Sequence, residues 1–448
     1  MSPHAVPQQQ DWDELLASFN VTKHGFLPAE EPLKSLPDAY YEPWEYLICN
    51  LQPLLAERTL RQSIDTLPVL SVDKLHTEPE WRRAYVILTL LTHSYVWGGD
   101  NAAEILPPPI AVPLLSVSSH LQVPPVATYA ALNLWNFASS TGDFTDVDSL
   151  HSPHTFTGTR DESWFLCVSV AMEAQGARVL PSILAALAAV PARDYATITA
   201  ALDQLAACIH AASALLARMR DHCDPMVFYH LIRPFLAGSK NMAAAGLPRG
   251  LYYDQGDHGA PSSWQQWRGG SNGQSSLIQL WDVVLGVTHT SDGDAKGNPH
   301  AGTASAAGKP TEDKSFHDEV REYMPGGHRR LLEYVGRCGS IRALAMQPVH
   351  GADPDHARMQ AAYTNAIRAL TEFRNGHLAI ITSYIVVPSK KPWLGAGSGL
   401  DGGKQDDTAD RELTGTGGTA LLPFLKQSRD ETKVCGELVK ARMAEVRC

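Results

Sequence analysis

The stretch Ala362–Val386, AYTNAIRALTEFRNGHLAIITSYIV, sets apolar side chains at Ala366, Ile367, Leu370, Phe373, Ile380, Ile381 and Tyr384. Recurrence every three or four residues is the period of an α-helix buried along one face, so the chain must build a core against that stripe. His377 falls on the same stripe, Arg374 lies one turn before it, and Gly376 leaves the backbone bare beside it. Two readings stand at this point. A histidine on an apolar face is commonly a core residue satisfied by hydrogen bonds. The alternative is a neutral imidazole that ligates the iron of a haem whose acidic side chains meet the nearby arginine.

The rest of the chain is also patterned for helices. Periodic segments run over Glu42–Leu55, Glu80–Trp97, Ala127–Phe137, Phe165–Ala177, Pro181–Val190, Thr197–Met219, Gln274–Thr288 and Arg329–Val335, with a charged helix at the C-terminal end. Val227–Ala237 reads as a helix interrupted by Pro234, and Leu106–Val123, with its four prolines, as extended chain or short turns. Convincing strands are scarce, so the expected fold is all-α. A mobile N-terminus (1–11) is expected to precede a small N-terminal domain (12–125). A connecting helix and linker (126–160) then lead to a large helical domain (161–448) with flexible segments at 291–314 and 390–411. His151 and His154 have a spacing that binds metal on a helix, but Pro153 and the turn formers around it favour a solvated loop.

Composition narrows the function classes. A net charge of -11 spread along 448 residues argues against a nucleic-acid or anionic-membrane partner. The seven scattered cysteines contain no CxxC pair and suit a reducing compartment. With no basic and apolar leader at the start, and Ala84–Leu91 as the longest apolar run, the expectation is a cytoplasmic protein. Gly269–Gly273 matches G-x-S-x-G, but WQQWRGG before it is no buried strand, so a nucleophile elbow is not expected. The GTGGTA run from Gly415 lacks the βαβ unit of a dinucleotide site, and there is no Walker A sequence. A helical chain with few acid–base clusters points to a bound cofactor for its chemistry.

Taken together, HGFLP, LPDAYYEPWE, LPPPIAVPLLSVSSHLQVPPVATYA, FLCVSVAMEA, CDPMVFYHLIRPFLAG, GGSNGQSSLIQLWDVVLGV, FHDEVREYMPGGHRRLL, FRNGHLAIITSYIVVPS and GTGGT resemble, in order, the indoleamine 2,3-dioxygenases and especially their fungal members. The resemblance runs from about His24 to the last helix. It implies haem b, with His377 as the proximal ligand of its iron and an Arg374–Glu319 pair steadying the ligand helix. It implies Phe165 and Ser169 in the distal pocket with Tyr129 and Phe228, and Arg233 as the clamp on a substrate carboxylate. Thr416, Gly417 and Gly418 match a mobile loop that closes over the substrate. The i, i+4 spacing of Phe165 and Ser169 puts both on one helix face, in agreement. Phe228 and Arg233, five apart, lie about 140° apart on a regular helix, and a kink at Pro234 is expected to swing them together. Arg233 is the telling residue, because a cation in an apolar helix is costly unless an anion meets it.

The implied reaction adds O₂ across the indole C2–C3 bond of L-tryptophan to give N-formylkynurenine, the first step of the kynurenine pathway of tryptophan catabolism and NAD biosynthesis. An electron donor that keeps the iron ferrous and a monomeric state are further expectations. The alternative is a haem protein of the same fold that binds O₂ without efficient tryptophan turnover. The chain departs from the family pattern at Ser239, at NLWNF (Asn133–Phe137) and at His24, none of them an implied pocket residue.

Overall fold

The computed structural model describes residues 9–258, 261–289, 316–348, 353–393 and 421–445. Helices dominate, as the periodicity requires. The strands that form are two or three residues long: Ile105–Leu106 runs parallel to Leu251–Tyr253, which pairs antiparallel with Ser263–Gln265, and Ala138–Ser139 pairs with Leu150–His151. Of the segments read as flexible, 291–314 and all of 390–411 beyond 393 lie outside the described residues, as does 1–8, while Lys390 closes the 3-10 turn Pro388–Lys390. The first helix, Gln9–Ser18, starts inside the stretch expected to be mobile.

The helix signals are local and physical. Glu78–Trp97 opens with a reciprocal capping box between Thr77 and Glu80 and buries nearly every residue from Ala84 to Val96. Thr159, Asp194, Ser275 and Asp353 cap the helices Arg160–Gly176, Tyr195–Ala217, Ser276–Leu285 and Pro354–Ile381 by accepting backbone N–H bonds. Gly286 ends Ser276–Leu285 at φ +65°, where a side chain would be strained.

Leu106–Val123 corrects the sequence expectation, because Pro108–Leu121 is one helix. Pro107 is its cap and Pro108 and Pro109 occupy its first turn, where no intrahelical N–H bond is needed. Glu42–Leu55, read as one helix, divides at Asn50 into Glu42–Cys49 and Leu51–Ala56. The expected helix Ala127–Phe137 reduces to a π turn, Ala130–Leu134. The expected solvated loop at 139–159 holds only in part. His151 is exposed, but His154 is buried, with Arg83 Nη1 2.7 Å from its Nε2.

Pro354–Ile381 is the central element. It packs against Tyr195–Ala217 on one side and Leu421–Glu445 on the other. The run Tyr195–His222 is longer and more apolar than sequence reading recognised, enough by length and composition to cross a bilayer. In the fold its stripe of Ile198, Leu202, Leu205 and Ile209 is core. One continuous apolar core runs from Trp12 to Val439. Polar ties join the early and later segments: His93 Nδ1 lies 2.7 Å from the Phe235 carbonyl, and Trp97 Nε1 donates to Ala237 O at 2.9 Å.

Candidate active site

A large cavity opens between Pro354–Ile381, Arg160–Gly176 and the segment around Arg233. Its lining includes Tyr129, Phe165, Ser169, Phe228, Arg233, Arg374 and His377, so seven of the residues singled out from the sequence meet at one place. Thr416, Gly417 and Gly418 lie outside the described residues. Glu319 is not in the lining.

His377 comes to the cavity with Phe373, Ile380, Ile381 and Tyr384, the stripe that the 3.6-residue period marked. Neither ring nitrogen of His377 is hydrogen-bonded among the described residues. Desolvation, aided by the Arg374 cation, holds its pKa down to about 4, so the imidazole is neutral with a lone pair to give. A Cβ built on Gly376 would meet nothing within 4 Å.

Arg374 is held differently from expectation. It does not pair with Glu319. Its Nη2 reaches both oxygens of Asp282 at 2.7 Å, and Nη1 donates to the Ser428 carbonyl and the Thr432 hydroxyl. Asp282 is fully buried, and the Arg374 cation with His289 keeps its carboxylate ionised against the cost of burial. Glu319 instead accepts from Arg268 Nη2 at 2.7 Å and pairs with Lys240. The expected role of steadying the His377 helix therefore falls to Asp282, which sequence reading missed. Its signal was present, since Ser276–Leu285 is otherwise apolar, and a lone carboxylate there needs a cation as much as Arg233 needs an anion.

Phe228 and Arg233 reach the same wall by a route other than a proline kink. Phe228–Ile232 is a π turn, and the Arg233 N–H donates to Phe228 O, five residues back. The wider i→i+5 register stacks Arg233 above Phe228, whereas a regular helix would separate them. Two further π turns, Ala130–Leu134 and Thr382–Val386, also place side chains on the cavity, Leu132 and Asn133 from one and Tyr384 and Ile385 from the other. The Phe165 and Phe228 rings lie 4.9 Å apart, tilted at 59°, and Tyr384 meets Phe228 edge-on at 5.8 Å. Arg233 sits over the Tyr229 ring at 5.3 Å, and desolvation lowers its pKa.

Behind Ser169, one helical turn on, is Glu173, fully buried. It accepts the Ser275 hydroxyl at 2.5 Å and interacts with the Tyr129 hydroxyl. Burial pushes its carboxyl up to about 7 against the opposing hydrogen bonds. The folded value lies above the ordinary 4.5, so the stability it contributes is complete below about pH 4.5 and is lost as pH rises through about 7. That interval corresponds to about 3 kcal/mol. Glu173→Gln should remove this dependence. The difference in unfolding free energy between parent and variant, measured by urea titration, should change by about that amount between pH 4.5 and 7.5. Subtraction is needed because His93 and His328, held neutral by burial, contribute the opposite slope below pH 6.5.

The Gly269–Gly273 turn contains no nucleophile elbow, but it does line the cavity: Gly270, Ser271, Asn272 and Gly273 form part of the wall. A Cβ on Gly269 would lie 1.9 Å from Leu236 O, so only glycine lets this turn close against the Arg233 segment.

With this geometry in place, comparison with known proteins is decisive. The family model described as indoleamine 2,3-dioxygenase matches residues 15–435. The chain belongs to the indoleamine 2,3-dioxygenase family. It is similar to the indoleamine 2,3-dioxygenase nanC of Aspergillus nanangensis, with 38% identity over 93% of this chain and 96% of that one. The indoleamine 2,3-dioxygenase of Saccharomyces cerevisiae is also 38% identical, over 93% and 92%. The 6-hydroxytryptophan 2,3-dioxygenase fscD of Fusarium equiseti is 34% identical over 91% and 94%. The chain is therefore a dioxygenase, an oxidoreductase acting on a tryptophan-type substrate and O₂. The mainly helical fold is the one this family membership implies.

Proposed function

We propose that the protein adds O₂ across the C2–C3 bond of the indole of L-tryptophan to give N-formylkynurenine, with haem b held by His377. Both oxygen atoms enter the product, so the net reaction needs no outside proton or electron. The observation that carries the reading is the neutral, unshared imidazole of His377 in an aromatic-walled cavity that also receives Arg233. A neutral imidazole backed by apolar side chains would hold the iron of a haem. Haem, when bound, supplies the iron chemistry that activates O₂.

The remaining work belongs to the chain. Phe165, Phe228 and Tyr384 give the indole an apolar wall and fix its plane. Arg233, cationic and largely withdrawn from water, meets the carboxylate by a charge-assisted contact that is stronger for being desolvated. Ser169 and Tyr129 offer hydroxyls, and burial raises the carboxyl of Glu173 behind them to about 7. Holding the substrate in one orientation is the main gain, because the reaction requires two partners to meet in line.

Arg233→Ala should leave haem content unchanged and raise KM for L-tryptophan roughly 10- to 150-fold, the equivalent of about 1.5–3 kcal/mol for a lost charged hydrogen bond. Steady-state kinetics with ferrous enzyme check this, and an unchanged KM would remove Arg233 from the carboxylate. The function itself is tested by the absorption spectrum of purified, haem-supplemented protein followed by turnover with L-tryptophan and 6-hydroxy-L-tryptophan. A Soret band with N-formylkynurenine from L-tryptophan is expected. A Soret band without product would favour an oxygen-binding protein, and preference for the hydroxylated substrate would reassign the substrate.

A further inference from the structure

Beside Arg374, three ligand-type side chains converge. One ligand atom each from Asp282, His289 and His317 lies within 4.8 Å of the others. His289 Nε2 stands 3.2 Å from Asp282 Oδ2. That is close to the edge of a tetrahedron built on metal–ligand bonds of about 2.0–2.1 Å, roughly 3.3–3.4 Å. His289 Nδ1 lies 2.7 Å from Glu431 Oε2, the carboxylate backing that commonly fixes the tautomer of a metal-bound imidazole. The His317 ring stacks on His289 with centroids 3.6 Å apart, and neither of its nitrogens is hydrogen-bonded among the described residues.

We propose that Asp282, His289 and His317 bind one divalent transition-metal ion of the zinc class, with a fourth position left to water. The donor set of two imidazoles and one carboxylate suits zinc, which accepts nitrogen and oxygen ligands in tetrahedral geometry. The ion would tie His289 and His317 to Asp282 on the helix Ser276–Leu285. His317 also lines the cavity that receives His377, so the site is tested with and without haem.

The test uses full-length protein, haem-loaded and haem-free, stripped with a chelator and titrated with zinc chloride, bound zinc being measured by elemental analysis after gel filtration. The parent should hold one more equivalent than His317→Ala or His289→Gln in both haem states. His210→Ala, an exposed histidine elsewhere, should match the parent. Glu431→Gln should retain the equivalent with affinity reduced about 10- to 100-fold. Should His289→Gln fail to fold, His317→Ala carries the test, since it removes no hydrogen bond. Equal zinc content and affinity in parent and His317→Ala would overturn the proposal.

Discussion

His377→Ala is expected to purify as folded protein that retains no haem and shows no Soret band after supplementation. The imidazole makes no hydrogen bond among the described residues, so its loss leaves no partner stranded. Its neighbours Phe373 and Ile380 remain buried. Alanine is also the best helix former, which favours the helix. The fold should therefore survive while the axial bond disappears. Circular dichroism unchanged from the parent, with the Soret amplitude reduced at least tenfold, is the expected pair of readings. A normal Soret band in the variant would mean that the iron is held elsewhere, and the proposed function would need a different ligand.

The second large effect lies on the helix Ser276–Leu285, in the carboxylate that holds Arg374. Asp282→Ala should destabilise the protein by about 3–5 kcal/mol, because it leaves the Arg374 guanidinium buried without its counter-charge. Asp282 is 2% exposed and Arg374 9%, so water cannot compensate. Urea unfolding in chelator-treated buffer would show this, and Asp282→Asn should fall in between, since it keeps the shape and one acceptor. Glu319→Ala serves as the comparison. Its partners Lys240 and Arg268 lie outside the cavity lining, so it should leave the His377 helix and haem retention unaffected. If Glu319→Ala released haem and Asp282→Ala did not, the assignment of the supporting carboxylate would be reversed.

The helical stripe around His377 was readable because one-sided burial imposes a period that survives any tertiary detail. Arg233 was readable for a different reason: a charge among apolar residues signals a partner wherever the fold places it. Asp282 carried the same signal and was passed over, while Glu319 was paired by family analogy. Which carboxylate meets which arginine depends on how Ser276–Leu285 docks on Pro354–Ile381, and no local pattern encodes that register. His154 became buried for a similar reason, because Arg83 and Asn136 reach it from distant positions. The prolines of 107–113 look like helix breakers in the sequence, yet three of them sit at the start of a helix, where they fit. The π turns could not be foreseen, since an i→i+5 register is chosen by what the helix must face.

Those turns carry a consequence for how the cavity tolerates change. The one at 228–232, flanked by helix on both sides, is a helix with one surplus amino acid, accommodated without interrupting the coil. Deleting a single codon within 228–232 would let the coil relax to its ordinary pitch and rotate everything downstream by about 100° relative to everything upstream. Arg233 would keep its identity and lose its address. In this protein the count of residues between two wall positions is as much a part of the catalytic inventory as the side chains themselves.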